Sequence, residues 1–237
     1  MLAVFVNMGT VLLGSAIGLL FGSRINQKYM DSVMAALALI TIVIGISSAV
    51  ATENVLAVII CLVLGTLMGE LLRIDDGIEG AGDFLKRKVL RGKLAESRFT
   101  EAFVSASILF CVGSMSIMGS LSAGLDRDYS IIFAKSALDL VSAIVFSAGM
   151  GVGVAFAALF ILVYQGALTL LAGLLGPYLS AEVVTEISAV GGTILIGMGI
   201  NMLDLAPKRI RVANMLPAIF LPILYFPVSA WLSGVLG

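Results

Sequence analysis

Histidine is absent from the 237 residues, and there are only two cysteines, one tryptophan and five prolines. Without histidine the chain lacks the commonest general base and metal ligand. Cys61 and Cys111 each lie inside an apolar run, where a thiol is more often a packing residue than half of a disulfide or metal pair. Charged residues make up 12% of the chain, about half the usual share. The formal net charge of −1 leaves no basic footprint for nucleic acid. No Gly-x-Ser-x-Gly elbow, His-Glu-x-x-His zinc motif or P-loop occurs, so neither an enzyme nor a bound cofactor is expected. What the chain has in excess is hydrocarbon: 60% of its residues are hydrophobic and the mean hydropathy is +1.13. A soluble enzyme, a disordered chain and a secreted disulfide scaffold are excluded.

Apolar stretches of membrane length cover 2–22, 33–51, 54–72, 102–122, 130–149, 152–175, 184–204 and 212–235. The expected fold is therefore all-α, a polytopic transmembrane bundle of about eight spans. It becomes seven if span 5, which carries Lys135 and Asp139, is re-entrant. The first stretch has no basic residue before it and Arg24 and Lys28 after it, the reverse of a cleavable signal peptide. The long connector 73–100 reads as a loop followed by an amphipathic surface helix. Phe84, Leu85, Val89 and Leu90 form its apolar side, and Lys86, Arg87, Lys88, Arg91 and Lys93 its basic side. It is an ordinary positive loop or, over 84–93, a site for anionic lipid. The connectors after spans 1, 3 and 7 hold twelve of the 14 basic residues. Positive-inside counting then places 73–100 in the cytoplasm and both termini outside the cytoplasmic membrane.

An internal repeat is legible. Thr41-Ile-Val-Ile-Gly45 in span 2 matches Thr193-Ile-Leu-Ile-Gly197 in span 7. The span 1 ending at Gly22 matches the span 6 ending at Gly176, and Asn54-Val-Leu matches Asn214-Met-Leu. The matches are collinear, at offsets of 152, 154 and 160 residues. The triplets 1–3 and 6–8 have opposite parity, so the duplication is an inverted repeat, a plan common in secondary transporters. The chain 1–237 is thus one transmembrane domain: 2–72 is the first repeat, 73–100 the cytoplasmic loop, 101–150 the central polar spans and 152–235 the second repeat.

Charge inside a span is costly, faces protein or water, and commonly marks a solute path. Lys135 and Asp139 are four residues apart and share a helical face, which Ser142 continues. At 1.5 Å per residue from Tyr129, Asp139 lies ~15 Å into the membrane. The pair is either part of a path or a structural ion pair that pins span 5. Span 4 is dense in small residues, Gly113, Ser114 and Ser116 among them, which weaken a helix and permit an unwound stretch or close packing. Ser47 in span 2 and Gly197, Gly199 and Asn201 in span 7 have the same character. The sharper expectation gathers all of these around one central binding site. The plainer one is small-residue helix packing. Gly14, Gly18 and Gly22, like Gly65 and Gly69, recur every four residues and suit tight helix pairs or a homodimer face. Asn7 and Gln165 are intramembrane amides suited to interhelical hydrogen bonds or to the site. Pro217, Pro222 and Pro227 bend span 8.

With these residues laid out, the chain resembles the uncharacterised YdfK/YqgA membrane-protein family, domain-of-unknown-function group 554. The resemblance rests on Phe110-Cys-Val-Gly-Ser-Met-Ser-Ile-Met-Gly-Ser-Leu121, Gly124-Leu-Asp126, Lys135-Ser-Ala-Leu-Asp139 and Gly191-Gly192…Gly197. It covers essentially the whole chain. Where that family tends to have a glycine after the aspartate, this chain has Leu140. The resemblance implies a bacterial integral inner-membrane protein and no particular activity. Taken with the polar spans, the expected function is secondary transport of a small ion or small polar solute by alternating access. The competing expectations are an ion channel with the same lining, and a non-transporting module that binds lipid or a partner protein through 73–100.

Overall fold

The computed structural model describes residues 1–22, 27–77, 80 and 99–236; the side chains of residues 27, 28, 30, 112, 114 and 233–236 are not among those described. The basic stretch 84–93 therefore lies outside the described residues. The elements are α1 (Leu2–Gly22), α2 (Gln27–Ala49), α3 (Val55–Leu72), α4 (Phe99–Val112), α5 (Ser114–Leu125), α6 (Ser130–Met150), α7 (Gly153–Leu170) and α8 (Ala181–Met202), then a 3-10 helix Val212–Phe220 and α9 (Pro222–Leu236). All regular elements among the described residues are helical. In hydrocarbon only a helix satisfies its own backbone within one segment, which is why long apolar runs fold this way.

Six of these helices are long and apolar enough to cross a membrane, and up to eight spans result if each bent pair counts as one. The bent pairs are α4 with α5, at 59°, and the 3-10 helix with α9, at 49°. The first break falls at Gly113, whose backbone is extended (φ −65°, ψ 147°). The second falls at Leu221–Pro222, where Pro222 opens α9 in the first turn, whose N–H groups have no intrahelical acceptor. α6 is a single unbroken helix of 21 residues. Asp128 accepts from the Ser130 backbone N–H at 2.9 Å just before it, and that bond holds its carboxyl below the usual range.

Glycines set the helix pairs. A Cβ at Gly14, Gly18 or Gly22 would run into Leu140, Ile144 and Ala148 of α6, so this ladder is taken up inside the chain, and α1 and α6 run parallel. Gly45 and Gly192 each press on the other's carbonyl, which locks α2 against α8 in antiparallel fashion. Gly65 and Gly69 seat Ala218 and Asn214 of the 3-10 helix, again antiparallel. Gly124 and Gly153 join α5 and α4 to α7. α8 is the most buried of the long helices and sits at the centre. Large apolar side chains such as Leu20, Val43, Leu71, Leu138 and Leu170 face outward, as a lipid-facing surface requires.

One buried carboxylate ties α8 to the α2–α3 turn. Glu186 accepts from Thr52 Oγ1 at 2.6 Å, the Glu53 N–H at 2.8 Å and the Asn54 N–H at 3.0 Å. It supplies the acceptors that the exposed amides ahead of α3 lack, while Asn54 Oδ1 caps Ala57 N–H at 3.0 Å.

Two stability outcomes follow. Gly18→Val should destabilise the protein by about 1–3 kcal/mol through overpacking, whereas Gly9→Ala, with nothing within 4 Å, should be near neutral. Glu186→Ala removes a charged acceptor from three part-buried donors and should cost about 1–3 kcal/mol. Thermal unfolding in detergent, read by circular dichroism, measures both.

Candidate functional site: a buried polar chain beside a broken helix

The spacing of four residues puts Lys135 and Asp139 on one face of α6, and both are buried. Lys135 Nζ donates to Asp139 Oδ2. The Phe110 ring of α4 lies 5.9 Å from the ammonium, close enough for a cation–π contribution. The Asn7 amide of α1 faces the same carboxylate. Its Nδ2 donates to Gln165 Oε1 of α7 at 3.2 Å, and Gln165 Nε2 donates to Ser116 Oγ of α5 at 2.9 Å. Asn7, Gln165 and Ser116 are fully buried. A polar chain thus runs through α6, α1, α7 and α5 and ends one turn beyond the break at Gly113. Gly113 has nothing within 4 Å of a would-be Cβ, so the break opens onto space. Asn7 Oδ1 is buried with no hydrogen-bond partner among the described residues, which leaves an unmet acceptor beside the carboxylate.

A cavity of about 760 Å³ is bounded by both bent helix pairs. α4 and α5 supply Ser107, Cys111 and Ile117, α7 supplies Phe160 and Tyr164, α8 supplies Ile187, and the 3-10 helix and α9 supply Phe220 and Ile223. Its wall is almost entirely hydrocarbon, unlike a polar chamber. Lys135 and Asp139 are not in the wall; they stand behind Cys111, within electrostatic reach of it.

Of the residues that the sequence singled out, the structure brings together Lys135, Asp139, Ser116 and the Gly113 break. Ser142 is half-buried on α6, beyond Asp139. The side chain of Ser114 is outside the described residues. The span 7 group lies elsewhere. Asn201 exchanges two hydrogen bonds with the Ile210 backbone, at 2.8 and 2.9 Å, clamping the loop that follows α8. Gly197 sits against Val212 and Ile210, and Gly199 against Ala38 and Ile42 of α2. Ser47 is exposed. The connecting amides Asn7 and Gln165 are the members that residue spacing alone did not attach to the pair, because they are 158 residues apart. Glu186 went unnoticed in the sequence, where it stands two residues past the start of span 7 and lacks the mid-span depth that flags Asp139.

Removing one partner of the buried pair should be far worse than removing both. Asp139→Ala strands an ammonium and should cost about 3–5 kcal/mol, while Lys135→Met with Asp139→Leu should recover most of that. A double-mutant cycle on thermal midpoints in one detergent checks it.

Comparison with known proteins agrees with the sequence resemblance. Residues 2–227 match the family model described as "Protein of unknown function (DUF554)". The chain is 32% identical over 230 residues to the uncharacterized protein YqgA of Escherichia coli (strain K12), covering 95% of each. It is 28% identical over 236 residues to the uncharacterized membrane protein YdfK of Bacillus subtilis (strain 168), covering 98% of each. No solved structure matches it. A match over nearly the full length, on a bundle of apolar helices, places this chain in the DUF554 family.

Proposed function

We propose that this membrane protein is a secondary transporter of a small ion or small polar solute, with no chemical conversion of what it carries. The observation that carries the reading is the polar chain. A buried ammonium–carboxylate pair stands beside Asn7, which is hydrogen-bonded to Gln165 and through it to Ser116, one turn past the break in span 4. Intramembrane charge facing a protein interior marks solute paths, and discontinuous spans at mid-depth are where transporters bind.

Lys135 neutralises Asp139 from within the same helix. A cation or donor group that displaces the ammonium strands it, and a stranded buried charge costs several kcal/mol. Loading is favourable when the incoming solute carries its own anionic group, or when the ammonium gives up its proton. The site therefore suits a zwitterion, or a cation exchanged for a proton. Asn7 Oδ1, the acceptor without a donor, adds a second ligand oxygen at that point.

Alternating access between inverted triplets 1–3 and 6–8 is the proposed cycle. Its support is geometric: each proposed pair of counterparts is in contact, α1 with α7, α2 with α8, and α3 with the 3-10 helix. Gly45 against Gly192, with Gly199 against Ala38, and Gly65 against Ala218, with Gly69 against Asn214, run antiparallel. A two-fold axis in the membrane plane requires that. The copies are unequal, for α3 is one continuous helix and its counterpart is bent by 49°. The bacterial cytoplasmic membrane, with 73–100 inside and both termini outside, is the setting that the basic loops support.

Proteoliposomes carrying an entrapped pH-sensitive dye test the cycle, with glycine, alanine, sodium and potassium as probes. The expected result is saturable, solute-dependent proton movement at turnover far below channel flux. Asp139→Asn should reduce it by about tenfold or more, the equivalent of one lost charge-assisted hydrogen bond. Unchanged flux in the folded Lys135→Met, Asp139→Leu double variant would overturn the assignment of the site. Flux that fails to saturate would replace the carrier with a channel.

A further inference from the structure

The 760 Å³ cavity has chemistry unlike the polar chain. It extends from Ile74, just past the end of α3, to Leu175 and Leu179, which precede α8 at the opposite end of the bundle. It is therefore long in the direction of the spans. Among the described residues no acidic or basic side chain lines it, so these walls offer a charged water-borne solute no partner.

Its mouth is lateral. Phe160, Val163 and Ala167 on α7 and Phe220 at the bend of span 8 line the cavity and are also exposed. Val163 lies about halfway along α7, and Phe220 is eight residues in from Val212, at the end of the 3-10 helix. An opening at that depth faces the hydrocarbon of the bilayer rather than water. Deep in the wall, Ile108, Ile117 and Ile187 are 2%, 1% and 3% exposed, beyond the reach of lipid lying against the outer surface.

One polar group interrupts the wall. Helical serines commonly return their hydroxyl to the carbonyl one turn back, as Ser120, Ser136 and Ser188 do here. Ser107, buried and in the cavity wall, has no hydrogen-bond partner among the described residues. Buried hydroxyls without a partner also occur away from the cavity, at Ser15 and Ser147, so the hydrocarbon wall and the lateral mouth carry the choice of occupant.

We propose that this cavity is a binding site for one acyl chain of a membrane phospholipid, which enters sideways between α7 and the bend of span 8 and lies along the spans. The volume falls within the range of true ligand pockets. The site does not depend on transport. Because both bent spans form its wall, an acyl chain there also holds them in their bent geometry.

The test uses the full-length protein in proteoliposomes containing a phosphatidylcholine with a photoactivatable diazirine midway along one acyl chain. After illumination, adducts are mapped by peptide mass spectrometry. Adducts are expected on Ile108, Ile117 or Ile187 as well as on outward residues such as Leu159. Ala167→Trp, which plugs the mouth from an exposed position, should lower the deep adducts by about tenfold and leave those on Leu159 unchanged. Val163→Trp at the same mouth provides a second plug. Adducts confined to outward residues, or deep adducts that neither plug diminishes, would overturn the proposal.

Discussion

An ammonium group in hydrocarbon needs a counter-charge, and much of this molecule is organised around meeting that need. Lys135 has Asp139 one turn away on α6. That carboxylate in turn draws Asn7 of α1, and Asn7 draws Gln165 of α7. Three spans are thereby held in one rotation about their axes, since turning any of them would strand a polar group where no water replaces its partner. The glycines at 14, 18 and 22 serve the same end by bringing α1 against α6. Steric fit and polar pairing fix the same interface, which accounts for its tight register.

Two kinds of interior coexist. The polar chain is narrow and follows side chains, whereas the cavity is wide and nearly all hydrocarbon. They come close at Cys111 of α4, which is in the wall and within electrostatic reach of the pair. They meet there because span 4 is broken: a continuous helix would carry α5 straight on, whereas the 59° bend lets α4 border the cavity and places Ser116 of α5 on Gln165. Small residues at the break give up some helix propensity and gain a change of direction.

Much of the architecture was legible in the sequence because membrane spans are specified by length and hydropathy alone. The bend of span 8 was legible because proline lacks an N–H, and the Lys135–Asp139 face because four residues is one helical turn. Partner choice was not legible. Asn201 looked like a midplane ligand, yet it clamps the Ile210 backbone. Gly197 and Gly199 resembled an unwound stretch and are contact surfaces in an unbroken α8. Hydropathy along one helix does not encode the angle at which that helix meets another. The apolar cavity was hidden for the same reason, since residues that line a void and residues that face lipid have the same composition.

The glycine contacts carry one mechanical implication. α1 is welded to α6, and α4 with α5 to α7, while α2 is welded to α8 and α3 to the 3-10 helix. The close-packed sets are then one built from spans 1, 4, 5 and 6 and another from spans 2, 3, 7 and 8. Each set takes spans from both halves of the sequence, so the seam between the sets is not a division between its early and late spans. The hydrocarbon-walled cleft lies on that seam, with α7 on one bank and α8 on the other.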